Sequence, residues 1–266
     1  MKMRATVAYN GSGFHGFAVN RDVRTVAGDL ETALATIVGE PVTITCAGRT
    51  DKGVHGRGQV ISFELPDGSD VTSERIERSL NGLCKPMIVV RDVEVVDDEF
   101  DARFSAQWRQ YRYQVLASPH PDPLRLHTSW FVPTPLDQSL MNQAAAHLIG
   151  EHDFTSFCKR VKVAEGEPEK SMVRKVLEAE WKQGPDDIIE FWVKSTAFCH
   201  QMVRSFVGTT VDVGLGRYTP DDIPKMLEAK DRLAAGRVAP PEGLTFWKVN
   251  YETSLPTAAT WAGCGG

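Results

Sequence analysis

One short stretch concentrates the residue types that chemistry needs. It reads Ala47-Gly48-Arg49-Thr50-Asp51-Lys52-Gly53-Val54-His55-Gly56-Arg57-Gly58-Gln59-Val60. Asp51 stands between Arg49 and Lys52, and Gly48, Gly53, Gly56 and Gly58 permit backbone geometry and close approach that side chains would block. A carboxylate drawn into a cleft loses hydration, which raises its pKa; neighbouring cations lower it again. A nucleophilic Asp has to stay ionised, so cationic neighbours suit that task. The same residues suit a turn aspartate beside surface cations. One Asp and His55 do not make a metal-ligand set. The Gly-Lys-Ser/Thr ending of a phosphate-cradling loop is missing.

The flanking sequence must hold this loop in place. Met3–Tyr9 alternates as a strand, and Gly11, Gly13 and Gly16 make the next segment a loop. Val26, Leu30, Ala33, Leu34, Ile37 and Val38 recur on one face of a 3.6-residue period, so a helix starts at Thr25; Gly39 stops it and Pro41 prevents re-entry. Val42–Cys46 reads as a strand, 47–58 as the Gly-rich loop, Gln59–Phe63 as a strand, Thr72–Leu83 as a helix and Met87–Val96 as a strand. The order then repeats. Trp108–Leu116 is a strand, and Asp137 caps a helix stopped by Gly150. Val173–Trp181 and Ile188–Ser195 are strands joined by a Gly-Pro turn. His200–Val213 and Asp221–Lys230 are helices, and Leu244–Asn250 is the last strand. Two β-α-β-β-α-β runs predict an α+β chain of two ferredoxin-like (RRM-like) halves, 1–104 and 105–251. The halves would join through a mainly antiparallel sheet around a central catalytic cleft. Cys158–Met172 reads as a long mobile loop and 252–266 as a flexible tail.

Charge narrows the function classes. The chain of 266 residues carries 30 Lys and Arg against 35 Asp and Glu, net −5, which excludes a generally basic nucleic-acid coat. The balance is uneven, however. Residues 66–101 hold ten acids and four bases, whereas 102–113 hold Arg103, Arg109 and Arg112 with no acid. With Trp108, Tyr111 and Tyr113 interleaved, that strip could supply phosphate contact and base stacking, although a solvated face is the plainer reading. No run approaches 18 uncharged apolar residues and no apolar leader follows Met1, which predicts neither a membrane span nor a secretory signal. Cys46, Cys84, Cys158, Cys199 and Cys264 are widely spaced without C-x-x-C, so a disulfide framework or zinc site is not expected and a reducing cytoplasm is.

Arg49-Thr50-Asp51-x-Gly53-Val54-His55, followed by Gly58-Gln59-Val60, resembles the signature of the TruA family of tRNA pseudouridine synthases. Other blocks extend the likeness in order from 9 to 244. They are Tyr9-x-Gly11-x-x-Phe14-x-Gly16-Phe17, the run Phe100–Ala106 with Tyr111-Arg112-Tyr113, Gly150–Phe157, Ala197-Phe198-x-x-x-Met202-Val203-Arg204, and Pro241-x-Gly243-Leu244. Two positions depart from the pattern: Lys52 stands where a small residue is usual, and Ala18 where a side-chain amide is usual.

The resemblance implies isomerisation of uridine to pseudouridine in tRNA, in the anticodon stem-loop at positions 38, 39 and 40, with no cofactor and no metal. It makes Asp51 the nucleophile, Tyr111 the active-site tyrosine and Arg204 the arginine paired with Asp51. Arg49 would contact RNA phosphate, Leu244 would line the uracil site, and Arg24 and Lys52 are further RNA-contact candidates. For His55, bracing the loop is preferred to acid–base chemistry. The expected partners are tRNA and a second copy in a homodimer, with no membrane and no small-molecule cofactor. The alternatives are a non-catalytic structured-RNA binding protein or chaperone, which would not need Asp51, and a sugar-bond hydrolase, for which Asp51 lacks an acidic companion.

Overall fold

Alternation decides the first element: Met3, Ala5, Val7 and Tyr9 are buried and the residues between them are not, as a strand covered on one face requires. The computed structural model describes residues 1–159 and 171–252. The loop expected at 158–172 lies mostly outside the described residues, and the expected tail lies outside them beyond Glu252.

Strand β1 (Lys2–Tyr9) leads to helix α1 (Val26–Val38). The Thr25 hydroxyl accepts the Gly28 N–H at 3.1 Å, and Gly39, at φ 89°, ends the helix in the left-handed region open to glycine. Then follow β2 (Ile44–Cys46), β3 (His55–Glu64), α2 (Ser73–Cys84, capped by Thr72) and β4 (Ile88–Val95). The second run comprises β5 (Trp108–Ala117), β6 (Trp130–Val132), α3 (Gln138–Ala146), β7 (Gly150–Asp153), β8 (Val173–Gln183), β9 (Ile188–Ser195), α4 (Met202–Gly214), α5 (Asp222–Ala229) and β10 (Leu244–Asn250).

All ten strands form one sheet, mainly antiparallel. The first run is ordered β4-β1-β3-β2 and the second β10-β5-β9-β8-β7, with neighbouring pairs antiparallel in both, while β6 lies parallel to β5 off that path. The runs meet where β10 lies parallel to the start of β3, Thr245 opposite His55 and Phe246 opposite Gly56. Further along, β3 carries β2 instead, from Ile61 to Phe63. Helices α1 and α2 cover β1, β3 and β4 with Leu30, Leu34, Ile76 and Leu80, all fully buried. Helices α3 and α4 cover β5, β8 and β9 in a separate cluster built on Phe154, Phe157, Trp181, Phe191 and Phe206.

Several expected boundaries shift, most by one or two residues, and three of the differences have a plain physical cause. Strand β3 begins at His55, not Gln59, so Gly56 and Gly58 belong to a strand. A Cβ on Gly56 would sit 2.3 Å from the Tyr9 ring, and one on Gly58 2.5 Å from the Trp247 carbonyl, so Gly56 serves close approach within the first run and Gly58 close approach between the two runs. Helix α3 ends at Ala146; Leu148 and Ile149 close tight turns onto Ala145 and Ala146, and Gly150, at φ 116°, opens β7. Helix α4 starts at Met202, not His200, because Gln201 is left-handed (φ 63°).

Candidate active site

The loop from Ala47 to Val54 is fixed before its side chains can act. Fully buried Gln59 donates to the Gly48 carbonyl (2.6 Å) and accepts the Gly48 N–H (3.3 Å). Thr50 shares a hydrogen bond with the Tyr9 hydroxyl (2.8 Å), and its carbonyl accepts the Phe17 N–H (3.0 Å). Gly11 admits the far end of the loop: a Cβ there would lie 2.0 Å from the Val54 carbonyl. Gly53, at φ 82°, turns the chain so that the Val54 N–H reaches the Asp51 carbonyl at 3.2 Å.

His55 is a brace, as preferred from the sequence. Its Nδ1 accepts the Gly11 N–H (3.0 Å), which puts the proton on Nε2. Nε2 then donates to the carbonyls of His127 (2.7 Å) and Glu242 (3.1 Å). The ring thus ties β3 to the loop after β1, the loop before β6 and the approach to β10. Burial lowers its pKa, favouring the neutral form that this network needs.

Asp51 projects into an open cleft of about 1890 Å³, larger than the ~300–1,000 Å³ usual for a small-molecule site and suited to a polymer segment. Arg204, the third residue of α4, donates from Nη1 to Asp51 Oδ2 at 3.1 Å and from Nε to the Ala239 carbonyl at 2.7 Å. His200 Nε2 lies 3.3 Å from Asp51 Oδ1. Tyr111 and Leu244, both buried, line the cleft, as do exposed Arg49 and Lys52. Tyr111 packs edge-on against Phe198 (5.0 Å) and Phe246 (5.1 Å). Burial first, then the nearby Tyr9 and Asp51, raise its hydroxyl pKa far above the ordinary value, so it remains a neutral phenol. Eight lysines and arginines and four acids line this cleft in a chain of net −5, so the local field opposes the global one.

The structure disperses the basic strip that the sequence suggested, because successive strand residues face opposite ways. Arg103 lines the cleft. Arg109 lines it too, but its guanidinium is taken up by the wall, donating to the carbonyls of Ala47 (3.2 Å), Ala106 (3.2 Å), Thr196 (2.8 Å) and Arg103. Arg112 lies on the other face of the sheet, paired with Glu190 (3.3 Å) and stacked on Trp247. Tyr113 is fully buried and donates to the Pro240 carbonyl (2.8 Å). Arg24 is not among the cleft-lining residues; it pairs with Asp29 at 2.7 Å and lies over the Phe14 ring. His200 and Gln59 were not singled out as site residues. The signal for His200 was its four-residue spacing to Arg204; the hold of Gln59 on Gly48 has no signature in sequence.

A carboxylate held by a guanidinium, beside aromatic rings and a basic rim, can act on a nucleotide turned out of its stack. Residues 144–252 match the family described as tRNA pseudouridine synthase. Over 254 residues the chain is 41% identical to tRNA pseudouridine synthase A of Bacillus velezensis and to that of Bacillus subtilis, covering 95% of this chain and 100% of each relative. It is 40% identical over 253 residues to tRNA pseudouridine synthase A of Listeria monocytogenes, covering 94% of this chain and 99% of the relative.

Proposed function

The chain belongs to the tRNA pseudouridine synthase A family, and on that premise we propose that Asp51 is the nucleophile with which it converts uridine to pseudouridine in tRNA. In this isomerisation the bond from N1 to C1′ breaks, the uracil turns, C5 bonds to C1′, the hydrogen on C5 leaves as a proton, and N1, freed from the sugar, ends with a proton in its place. The observation that carries the reading is Asp51 inside a basic cleft with Arg204 Nη1 on its Oδ2. The guanidinium orients the carboxylate through its hydrogen bond, and the fixed loop supplies orientation before substrate arrives.

The other roles follow from position. Tyr111 offers a ring for the everted uracil and a neutral hydroxyl that can donate a hydrogen bond. Leu244 forms an apolar wall of the same site. Arg49 and Lys52, exposed on the rim, contact phosphate. Arg24, engaged by Asp29, is a peripheral RNA contact. The substrate region is the anticodon stem-loop, at positions 38, 39 and 40. The enzyme works in the cytoplasm as a homodimer in which each tRNA touches both subunits. The two runs, 1–104 and 105–251, are ferredoxin-like halves; their matching strand orders and separate cores support this.

Asp51→Asn tests the assignment. Pseudouridine formation is expected to vanish while tRNA binding stays within about threefold, or about 0.65 kcal/mol. An active Asn variant would remove Asp51 from the chemistry.

A further inference from the structure

An aspartate held by one oxygen is not yet aimed, because the terminal torsion of Asp is broad and lets the carboxylate plane swing. Arg204 occupies Oδ2 only. The other oxygen lies 3.3 Å from His200 Nε2, an ion-pair contact and not an aligned hydrogen bond; two acceptors would repel at that distance, so the proton belongs on Nε2, where a small ring rotation donates it. We propose that His200 is a positioning residue for the reaction: its Nε2–H on Oδ1 and the Arg204 guanidinium on Oδ2 together lock the plane of the Asp51 carboxylate.

The backbone around His200 supports this role. Its carbonyl accepts the Lys159 N–H at 2.9 Å, and the Cys199 carbonyl accepts the Met202 N–H at 3.2 Å. Gln201, next in the chain, takes a left-handed conformation (φ 63°, ψ 5°) that a non-glycine residue adopts only at a cost in strain. That turn keeps His200 out of α4 while its ring reaches the carboxylate Arg204 already holds. The His200 side chain is 39% exposed and faces the cleft, so it is not a core residue whose loss would unfold the chain.

The inference rests on Asp51 being the nucleophile, and the experiment separates the two. His200→Phe keeps a planar ring and removes the donor; His200→Gln keeps an N–H of similar reach. With enzyme in excess over tRNA, the first-order rate of pseudouridine formation is expected to fall about 10- to 100-fold in H200F. In H200Q it should return to within about threefold of wild type, with tRNA Kd within about twofold in both variants. Melting temperatures measured in parallel show that both are folded. A wild-type rate in H200F, a loss confined to tRNA affinity, or H200Q as slow as H200F would each overturn the proposal. D51N is assayed beside them. If it is active, the nucleophile assignment fails and this inference with it; if it is inactive while H200F turns over normally, only the positioning role fails.

Discussion

Arg204 makes two donations in different directions, and replacing it separates charge from shape. In Arg204→Met the stem remains and both donors vanish; in Arg204→Lys the charge remains without the planar fork. Two unit charges 4 Å apart near a protein surface attract by about 4 kcal/mol before solvent competes. The side chains of Asp51 and Arg204 are 30% and 15% exposed, so water competes for part of that. The net value belongs with charge-assisted hydrogen bonds, about 1.5–3 kcal/mol. If that energy is spent holding the reactive carboxylate, R204M should slow the chemical step about 10- to 150-fold. R204K should fall between, because an ammonium cannot serve both Ala239 and Asp51. The assay follows from the reaction: C5 loses its hydrogen when it bonds to C1′, so tRNA labelled with tritium at uridine C5 releases label to water. Single-turnover release, with tRNA Kd measured separately, isolates chemistry from binding. An R204M rate within twofold of wild type, or a defect wholly in Kd, would refute the reasoning.

Two further substitutions test how the loop is held. Gln59→Leu leaves both backbone groups of Gly48 without their partner in a buried setting, a loss of about 2 kcal/mol; a thermal scan should show Tm down by about 4–8 °C, and an unchanged Tm would mean that other bonds hold the loop. His55 has a folded-state pKa below its unfolded value, so the unfolded chain binds the extra proton first. Its contribution to stability is therefore complete above pH ~6.5 and is lost as pH falls from there towards the folded pKa. Glutamine can accept from Gly11 and donate onward without titrating, so the Tm of His55→Gln should fall less between pH ~7 and ~5 than that of wild type; parallel slopes would contradict the assignment.

Much of the scaffold was legible because it rests on local rules. The 3.6-residue apolar face from Val26 to Val38, with Thr25 before it and Gly39 after it, set α1 to within one residue, and β9 and β10 fell on their expected ranges. The rest depended on distant partners. Gly56 and Gly58 look like loop glycines until the Tyr9 ring and the Trp247 carbonyl are seen against them. Arg109 looks like an RNA contact until four carbonyls are found around it. In the site, Asp51 was legible from its neighbours and Arg204 from the family likeness. His200 shares a face with Arg204 in sequence, but its approach to Asp51 joins residues 149 positions apart through a left-handed turn that no spacing rule predicts.

The seam where β10 meets β3 spans two paired positions, one of them His55, the residue after the loop that bears Asp51. The acid is borne by the first run and its guanidinium by the second, while Ala47 and Val54, at either end of the acid's loop, pack into the second run's core. Neither run therefore owns a complete reacting centre, and the distance between Asp51 and Arg204 gauges how the runs are docked. A lesion far from bound RNA that tilts one core against the other would spoil turnover while leaving the rim intact to capture tRNA. Selection on catalysis thus reaches the seam through geometry, without any residue there touching the nucleotide.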